Sequence, residues 1–408
     1  MTNRVNFNQA ESAPERLHNV LGKTNVPRIR LIAFYLPQFH PIPENDLWWG
    51  KGFTEWTNVA KAKAQFVGHF QPRLPGELGF YDLRLTEVRE AQARLAQTAG
   101  IEGFCYYHYW FAGKQLLERP LKEVVETGSP TLPFCICWAN QTWSGIWHGN
   151  SGKILIEQTY PGAADDEAHF MSLLPAFRDP RYIKIDGRLS FTLFRPKERP
   201  NSQVFFDQWQ RLASLHGLPG FHFTAHLFED ERDWDYRNAG FDSAVIVNNL
   251  KAYRAGPESI LKKQWSRANT QHSLGKRLRA KRRALRNYGW YAWNRLRGTL
   301  GGQFRKIVLY EDAVSFFLDG IEHGNFPCVI PNWDNTARSG KRGFVLHDST
   351  PELFEGHLQQ AAKIVENRSP ETRIVFVKSW NEWAEGNYLE PDQRFGRKYL
   401  DAVRNVVF

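Results

Sequence analysis

Long apolar runs are missing from this sequence. No window reaches about eighteen uninterrupted apolar residues, so no membrane-spanning helix is expected. The opening MTNRVNFNQAESAPERLHNV has no apolar stretch behind its early arginine and lacks the pattern of a secretory signal. Cysteine is scarce. Cys105, Cys135, Cys137 and Cys328 each lie in or beside an apolar β-like run, and none has the C-x-x-C spacing of a zinc site. Without an export pattern they read as buried, reduced thiols of a cytoplasmic protein. A G-x-S-x-G elbow is absent, which leaves a serine hydrolase unsupported. So is a Gly-rich phosphate loop after the first strand, which argues against a dinucleotide-binding fold.

Acidic residues are nearly missing from one segment. Residues 251–306 hold 16 of the 53 Lys and Arg but only one of the 43 acids, Glu258. That segment carries +15, the rest of the chain −5, and the formal net charge of +10 hides the contrast. The chain reads as a mildly acidic globular protein with a cationic insertion. Its LGKRLRAKRRALRNYGWYAWNRLRG stretch puts Trp290, Tyr291 and Trp293 beside clustered Lys and Arg. A solvated helical excursion would look like this, and so would a segment meeting an anionic membrane surface from the cytoplasmic side. No nucleic-acid-binding motif accompanies the charge, and no nucleic-acid partner is expected.

What is abundant is aromatic: 15 Trp, 14 Tyr and 29 Phe in 408 residues. Residues 1–27 are polar, and a loose N-terminal arm is expected there, with a short helix near Arg16 to Leu21. From 28 to 408, short apolar runs alternate with helical patterns such as LTEVREAQARLAQTAG, LLERPLKEVVETG (with a proline interruption) and DDEAHFMSLLPAF. Eight strands are expected, starting near residues 30, 103, 133, 189, 221, 242, 326 and 373. Strands that are apolar throughout and separated by helices imply a parallel sheet covered on both faces. Eight such units predict the α/β class: a (β/α)8 TIM-like barrel with long strand-end loops and a basic, largely helical insertion at 251–306.

In such a barrel the chemistry gathers where strands run into the following loops. The first strand exits through Tyr35, His40, Trp48, Trp49, Glu55 and Trp56, the second through Tyr107, His108 and Trp110. The third exits through Trp138, Asn140, Trp143 and Trp147, the fifth through His226. The seventh exits through Asn332, Trp333, Asp334 and Arg338, the eighth through Trp380, Asn381, Glu382, Trp383 and Glu385. One tryptophan at a barrel end can be a plug. Aromatics at five ends, interleaved with Asn, His, Asp and Arg, suit pyranose rings, which offer a C–H face and a hydroxyl rim. Glycosidic bond cleavage usually needs two carboxyl groups, one protonated and one charged. Glu382 and Glu385 follow a strand among tryptophans, where burial and mutual repulsion push two acids apart in pKa. On an exposed helix the same spacing would be a solvated face.

FYLPQFHPIPEND with WWGKGFTEWTNV, then PNWDNTAR and SWNEWAEGNYLEPD, together resemble the WbsX-like proteins of bacterial O-antigen and surface-polysaccharide clusters. That group is similar to glycoside hydrolase family 99, the endo-α-mannosidases. The resemblance runs from about Pro27 to the C-terminus and implies a retaining mechanism assisted by the substrate. One glutamate deprotonates the sugar 2-hydroxyl, which attacks its own anomeric carbon, and a second protonates the leaving oxygen and later activates water. Asn381 to Gly386 match the family's Asn-Glu-Trp-x-Glu-Gly string, so Glu382 maps to the base and Glu385 to the acid/base. The implied substrate is an α-manno-configured sugar, mannose or rhamnose, in a bacterial polysaccharide or lipid-linked oligosaccharide. No cofactor or metal is implied.

Two other classes stay open on sequence. A nucleotide-sugar-dependent glycosyltransferase of lipopolysaccharide biosynthesis would use Asp233 and Asp235 of DWD as metal ligands. A non-catalytic carbohydrate-binding barrel would need neither carboxylate. Glu55 could also face Glu382 as a separate nucleophile. His108, His148 and His226 fit no metal-ligand spacing and read as sugar-binding or core residues.

Overall fold

The computed structural model describes residues 27–145, 153–231, 233–299 and 306–408. The expected helix near Arg16 lies outside them, as do Trp147 and His148. Eight strands form the centre: β1 (Arg30–Tyr35), β2 (Gly103–Phe111), β3 (Phe134–Trp138), β4 (Arg188–Leu193), β5 (Phe221–Phe228), β6 (Ser243–Val247), β7 (Asn325–Val329) and β8 (Ile374–Val377). Each pairs in parallel with the next, from Ile32↔Gly103 round to Cys328↔Phe376. The ring closes where Arg30 to Ala33 lie beside Ile374 to Val377. Every residue of β3, β6, β7 and β8 is buried, because the barrel interior takes one face and the outer helices the other. The four cysteines are free and buried in β2, β3 and β7.

Two short helices, α1 (Pro43–Trp49) and α2 (Glu55–Lys61), fold within the β1 exit loop. Around the barrel run α3 (Thr86–Ala99), α4 (Arg119–Thr127), α5 (Ala163–Phe177) and α6 (Ser202–Leu215). Then come α7 (Lys251–Asn269), α8 (Leu274–Thr299), α9 (Tyr310–Phe317), α10 (Pro351–Val365) and α11 (Lys398–Val407). The expected proline interruption of α4 is corrected: Pro120 sits in its first turn, where no intrahelical N–H is needed. The residues just before it, Lys114–Leu116, pair back on the end of β2 instead.

The basic insertion is α7 and α8, side by side. Gly256, at φ 77°, followed by Pro257, breaks α7 into two lengths. The pair docks on α9: Asn287 Nδ2 donates to Glu311 Oε1 at 2.7 Å, and Tyr291 Oη donates to Asp312 Oδ2 at 2.8 Å. Tyr291 Oη also accepts from the Leu309 backbone at 3.0 Å. The ring of Trp290 stacks on His347.

One buried side chain reinforces the barrel seam above β8. Asn381 Oδ1 accepts from Leu36 N at 2.7 Å, and its Nδ2 donates to Leu36 O at 3.0 Å. Its amide thus satisfies both polar groups of a backbone unit that leaves the sheet. Replacing it by alanine strands both in the core, so Asn381→Ala should lower the unfolding free energy by about 2 kcal/mol. Chemical denaturation against the parent chain checks this.

Candidate active site

The segment after β8 makes a miniature hairpin. Asn381–Glu382 pairs antiparallel with Asn387–Tyr388, and Trp383–Glu385 between them forms one 3-10 turn. Side chains three apart eclipse in such a turn, so Glu382 and Glu385 project on the same side. Trp383 goes the other way, stacked on Tyr388 at 3.8 Å and donating to Glu390 at 2.6 Å. The chain reverses at Gly386, φ 54°, where any Cβ would stand 2.9 Å from the Asp334 backbone. The turn therefore demands glycine.

Three buried carboxylates and two cations meet here. Glu382 Oε1 accepts from Lys378 Nζ at 3.1 Å and from Ser379 Oγ at 3.0 Å. Arg338 reaches across with Nη1 to Glu385 Oε1 at 2.7 Å and Nη2 to Glu55 Oε1 at 2.5 Å. Lys378 Nζ also donates to Tyr107 Oη at 2.8 Å and sits against the rings of Tyr107, Phe194 and Trp333. Three negative charges against two positive ones leave the buried cluster one proton short of neutrality, and burial penalises any such excess.

The environment decides where that proton resides. Burial pushes Glu382 up, but the Lys378 charge, a hydrogen bond from Glu385 and the Arg338 charge outweigh it and hold Glu382 well below the usual carboxylate range. Glu385 goes the other way: burial and the neighbouring Glu382 charge push it above that range, with Arg338 and Lys378 only partly offsetting. Glu55 is raised mainly by burial, against the pull of Arg338. The surroundings thus favour the proton on Glu385 and the charge on Glu382.

A cleft of about 490 Å³ opens over this cluster at the C-terminal ends of the strands. Of the residues expected to bind substrate, Glu55, Tyr107, Trp143, Trp333 and Arg338 line it together with Glu382 and Glu385. Trp143 is held edge-on by Trp48, Tyr109 and Phe111.

The other expected residues lie elsewhere. Strand parity explains His108: Tyr107 and Tyr109 face the cleft, so His108 points outward to His169, 3.0 Å away. Trp138 is buried and donates to Trp110 O, and His226 lies in the barrel interior against Phe34 and Phe194. Tyr35 donates to Gln92, His40 contacts Pro37 O, and Trp56 donates to Tyr81 O. Asn140, Asn332 and Asn381 clamp loop backbone at Arg195, Tyr388 and Leu36. Asp334 accepts from His69, Gln71 and Thr336, and Trp383 packs beneath the hairpin. Loop bases carry many orphan backbone groups, and these polar side chains satisfy them. Asp233 and Asp235 are exposed and outside the cleft lining; Asp235 accepts from Asn238 N. Among the described residues no group of three or more His, Cys, Asp or Glu is arranged to hold a metal ion.

Sequence reasoning missed Lys378, the partner that keeps Glu382 ionised. A lysine closing the otherwise apolar β8 run, four residues before Glu382, was the available signal. Tyr109, Phe194, Arg195 and Phe228 of the lining were missed as well.

The family model described as Glycosyltransferase WbsX matches residues 31–403. Two proteins named WxcX, from Xanthomonas campestris pv. campestris strain B100 and a second strain of that pathovar, are each 38% identical over 380 residues. These are 92% of this chain and 49% of theirs, so the chain spans about half the length of the curated relatives it matches. Among solved structures, a glycoside hydrolase-like protein superposes with a TM-score of 0.54 at 13% identity, over 94% of this chain and 95% of that one. A family 99 endo-alpha-mannosidase from Bacteroides thetaiotaomicron gives 0.49 at 14% identity, over 94% and 97%. The first of these likenesses is one of barrel fold.

Removing the bridging cation tests the charge balance. Arg338→Met leaves three carboxylates with Lys378 alone and should cost about 3 kcal/mol at pH 8. In that variant the folded carboxyls hold protons that the unfolded chain has released, so stability falls as pH rises. The deficit should therefore shrink at pH 5, read from denaturation midpoints at both values.

Proposed function

The chain belongs to the WbsX glycosyltransferase family, and from that premise we propose that it is a carbohydrate-active enzyme working at α-manno-configured bonds of a bacterial surface polysaccharide. The observation that carries this reading is a pair of buried glutamates at the mouth of the barrel with unlike partners, Lys378 and Ser379 on Glu382 and Arg338 on Glu385, surroundings that drive their pKa values apart. One group can give a proton while the other takes one, which is what two-carboxyl sugar chemistry requires.

The steps follow from the contacts. Oε1 of Glu382 is occupied by Lys378 and Ser379, and a substrate 2-hydroxyl that replaces Glu385 at the other oxygen can pass its proton there. As that oxygen attacks the anomeric carbon, the bond to the leaving oxygen breaks and Glu385 delivers its proton there. A 1,2-anhydro sugar results, and only a 2-hydroxyl trans to the leaving group can form it. Glu385 is then a carboxylate, and the Arg338 guanidinium already bonded to Oε1 stabilises it. It takes a proton from water, whose oxygen opens the ring at the anomeric carbon, while Glu382 returns its proton to the 2-oxygen. A sugar hydroxyl in place of water turns cleavage into transfer at the same site. Tyr107, Trp143 and Trp333 supply stacking faces, and Glu55 keeps Arg338 in register.

Glu382→Gln and Glu385→Gln should each lower turnover of a susceptible α-mannan or rhamnan by about 10²–10⁴-fold. Substrates lacking the 2-hydroxyl should not react; equal turnover of 2-deoxy substrates, measured by mass spectrometry of products, contradicts the route. Loss should occur on both sides of the pH optimum: above it as the raised Glu385 ionises, below it as the lowered Glu382 protonates.

We also infer that the enzyme works against an anionic membrane surface on the cytoplasmic side. No helix among the described residues is long and apolar enough to cross a membrane. The α8 helix instead carries two apolar faces. Ala284 and Tyr291 are buried against the body, while Leu274, Leu278 and Leu285 are exposed by 68%, 49% and 52%. At 100° per residue these leucines fall within about 40° of one another and about 110° from the buried face. Arg277 and Lys281 flank them on one side, Arg282 and Arg286 on the other. Such a helix lies in a lipid interface. The parent chain should float with vesicles containing phosphatidylglycerol and not with pure phosphatidylcholine, and L278E/L285E should stay behind.

A further inference from the structure

Beyond the five charged groups at its base, the cleft has a second electrostatic character. Arg195, Arg254, Lys306 and Arg342 line its outer part, with only Glu229 and Asp230 as acids. Arg254 engages both, Nε to Glu229 and Nη1 to Asp230, each at 3.3 Å. Among the described residues, no carboxylate forms an ion pair with Arg195, Lys306 or Arg342. Arg195 is braced instead by rings, its guanidinium 4.7 Å from the centre of Phe228 and 5.4 Å from Phe194, with Nε directed to Gln141. Four cations against two acids leave the outer cleft at +2, beside a base that is neutral once Glu385 holds its proton.

Lys306 rests beside an aromatic pair. Lys306 lies opposite Phe344 in the parallel ribbon that Lys306–Leu309 makes with Phe344–His347, and its Nζ is 5.8 Å from the Tyr253 ring. Tyr253 and Phe344 have ring centres 5.9 Å apart. Arg254 follows Tyr253 directly, and Arg342 precedes Phe344 by two residues. Phe344 N donates to Asn335 Oδ1 at 2.7 Å, which ties the pair to the loop that carries Arg338. One loop thus delivers Arg338 to the carboxylates and, four residues on, Arg342 to the outer rim. Tyr253, Arg254 and Lys306 come from the two ends of the basic insertion. Its charge is therefore not confined to the exposed face of α8, and part of it is directed into the cleft.

We propose that the outer cleft, around Arg254, Lys306 and Arg342, is a phosphate-binding subsite that holds the pyrophosphate of a substrate whose sugar sits on the Glu382–Glu385 pair. The three carboxylates disfavour an anion at the base of the cleft, and the +2 rim favours one at its edge. The substrate that matches both is a neutral sugar carrying a phosphoryl group. Two sources share this chemistry: the diphosphate of an activated nucleotide sugar, and the pyrophosphate that joins a glycan to a lipid carrier. The inference rests on the reading of the inner end as a sugar site.

The test measures binding by calorimetry on the full chain at low and high salt, with four probes: inorganic pyrophosphate, GDP-mannose, α-mannobiose, and α-mannobiose on a short prenyl pyrophosphate. The parent chain should bind at least one phosphorylated sugar ten-fold or more tightly than free α-mannobiose, and salt should erase the difference. K306A/R342A, two exposed positions, should remove that advantage and leave α-mannobiose binding unchanged. Preference for GDP-mannose assigns the subsite to a nucleotide sugar, and preference for the prenyl pyrophosphate assigns it to a carrier-linked glycan. Equal affinity for phosphorylated and free sugars in the parent chain overturns the proposal, as does an equal loss for both in the variant. Charge-dependent binding with no turnover in any arm would keep the subsite and sink the catalytic reading instead. Turnover without a phosphate advantage would do the reverse.

Discussion

Everything at the mouth of this barrel depends on an imbalance of one charge. Glu55, Glu382 and Glu385 are buried against Arg338 and Lys378, and a low-dielectric site does not tolerate the surplus. A proton must stay, and the geometry says where. Lys378 and Ser379 serve Glu382, Arg338 divides itself between Glu385 and Glu55, and the proton is favoured on Glu385, which burial and the adjacent Glu382 charge push upward. The two carboxyls are therefore distinguished by their surroundings, although both are glutamates three residues apart.

The fold supplies this asymmetry cheaply. A closed parallel barrel brings eight strand ends to one face, so Arg338 from the loop after β7, Glu55 from α2 and Lys378 from the end of β8 converge without a dedicated domain. The 3-10 turn eclipses the two glutamates, Gly386 lets the chain double back, and Asn381 ties the turn to β1. Outward from that base the cleft changes sign. A proton-holding carboxylate cluster lies at the bottom and a cationic, aromatic rim at the edge, and the ends of α7 and the Lys306 ribbon supply part of the rim.

The barrel was legible in the sequence because it rests on a repeated pattern: short runs apolar on both faces, each followed by a helix. Their starts fall within a residue or so of the expected positions. The carboxyl pair was legible for a different reason, since two acids among tryptophans where a strand ends have few structural uses. Side-chain direction was harder to read. Tyr107 and His108 are neighbours, yet only one faces the cleft, and the choice is set by strand parity that exit loops obscure. Asn140, Asn332 and Asp334 looked like sugar ligands, but their partners are backbone groups and side chains distant in sequence. Lys378 escaped notice because a lysine at the end of a strand gives no sign that it is buried among three rings. Such pairings are long-range facts, and no local pattern announces them.

The location of the proton is the central claim, and infrared difference spectroscopy observes it directly. In the unliganded chain at neutral pH, a protonated carboxyl band should be present, should titrate above the ordinary carboxylate range, and should vanish in Glu385→Gln. Glu390, buried and raised to about 7, contributes a band of its own that this substitution leaves in place. If the Glu385-dependent band is absent, or titrates with ordinary carboxylates, the two glutamates are equivalent and the division into acid and base is wrong.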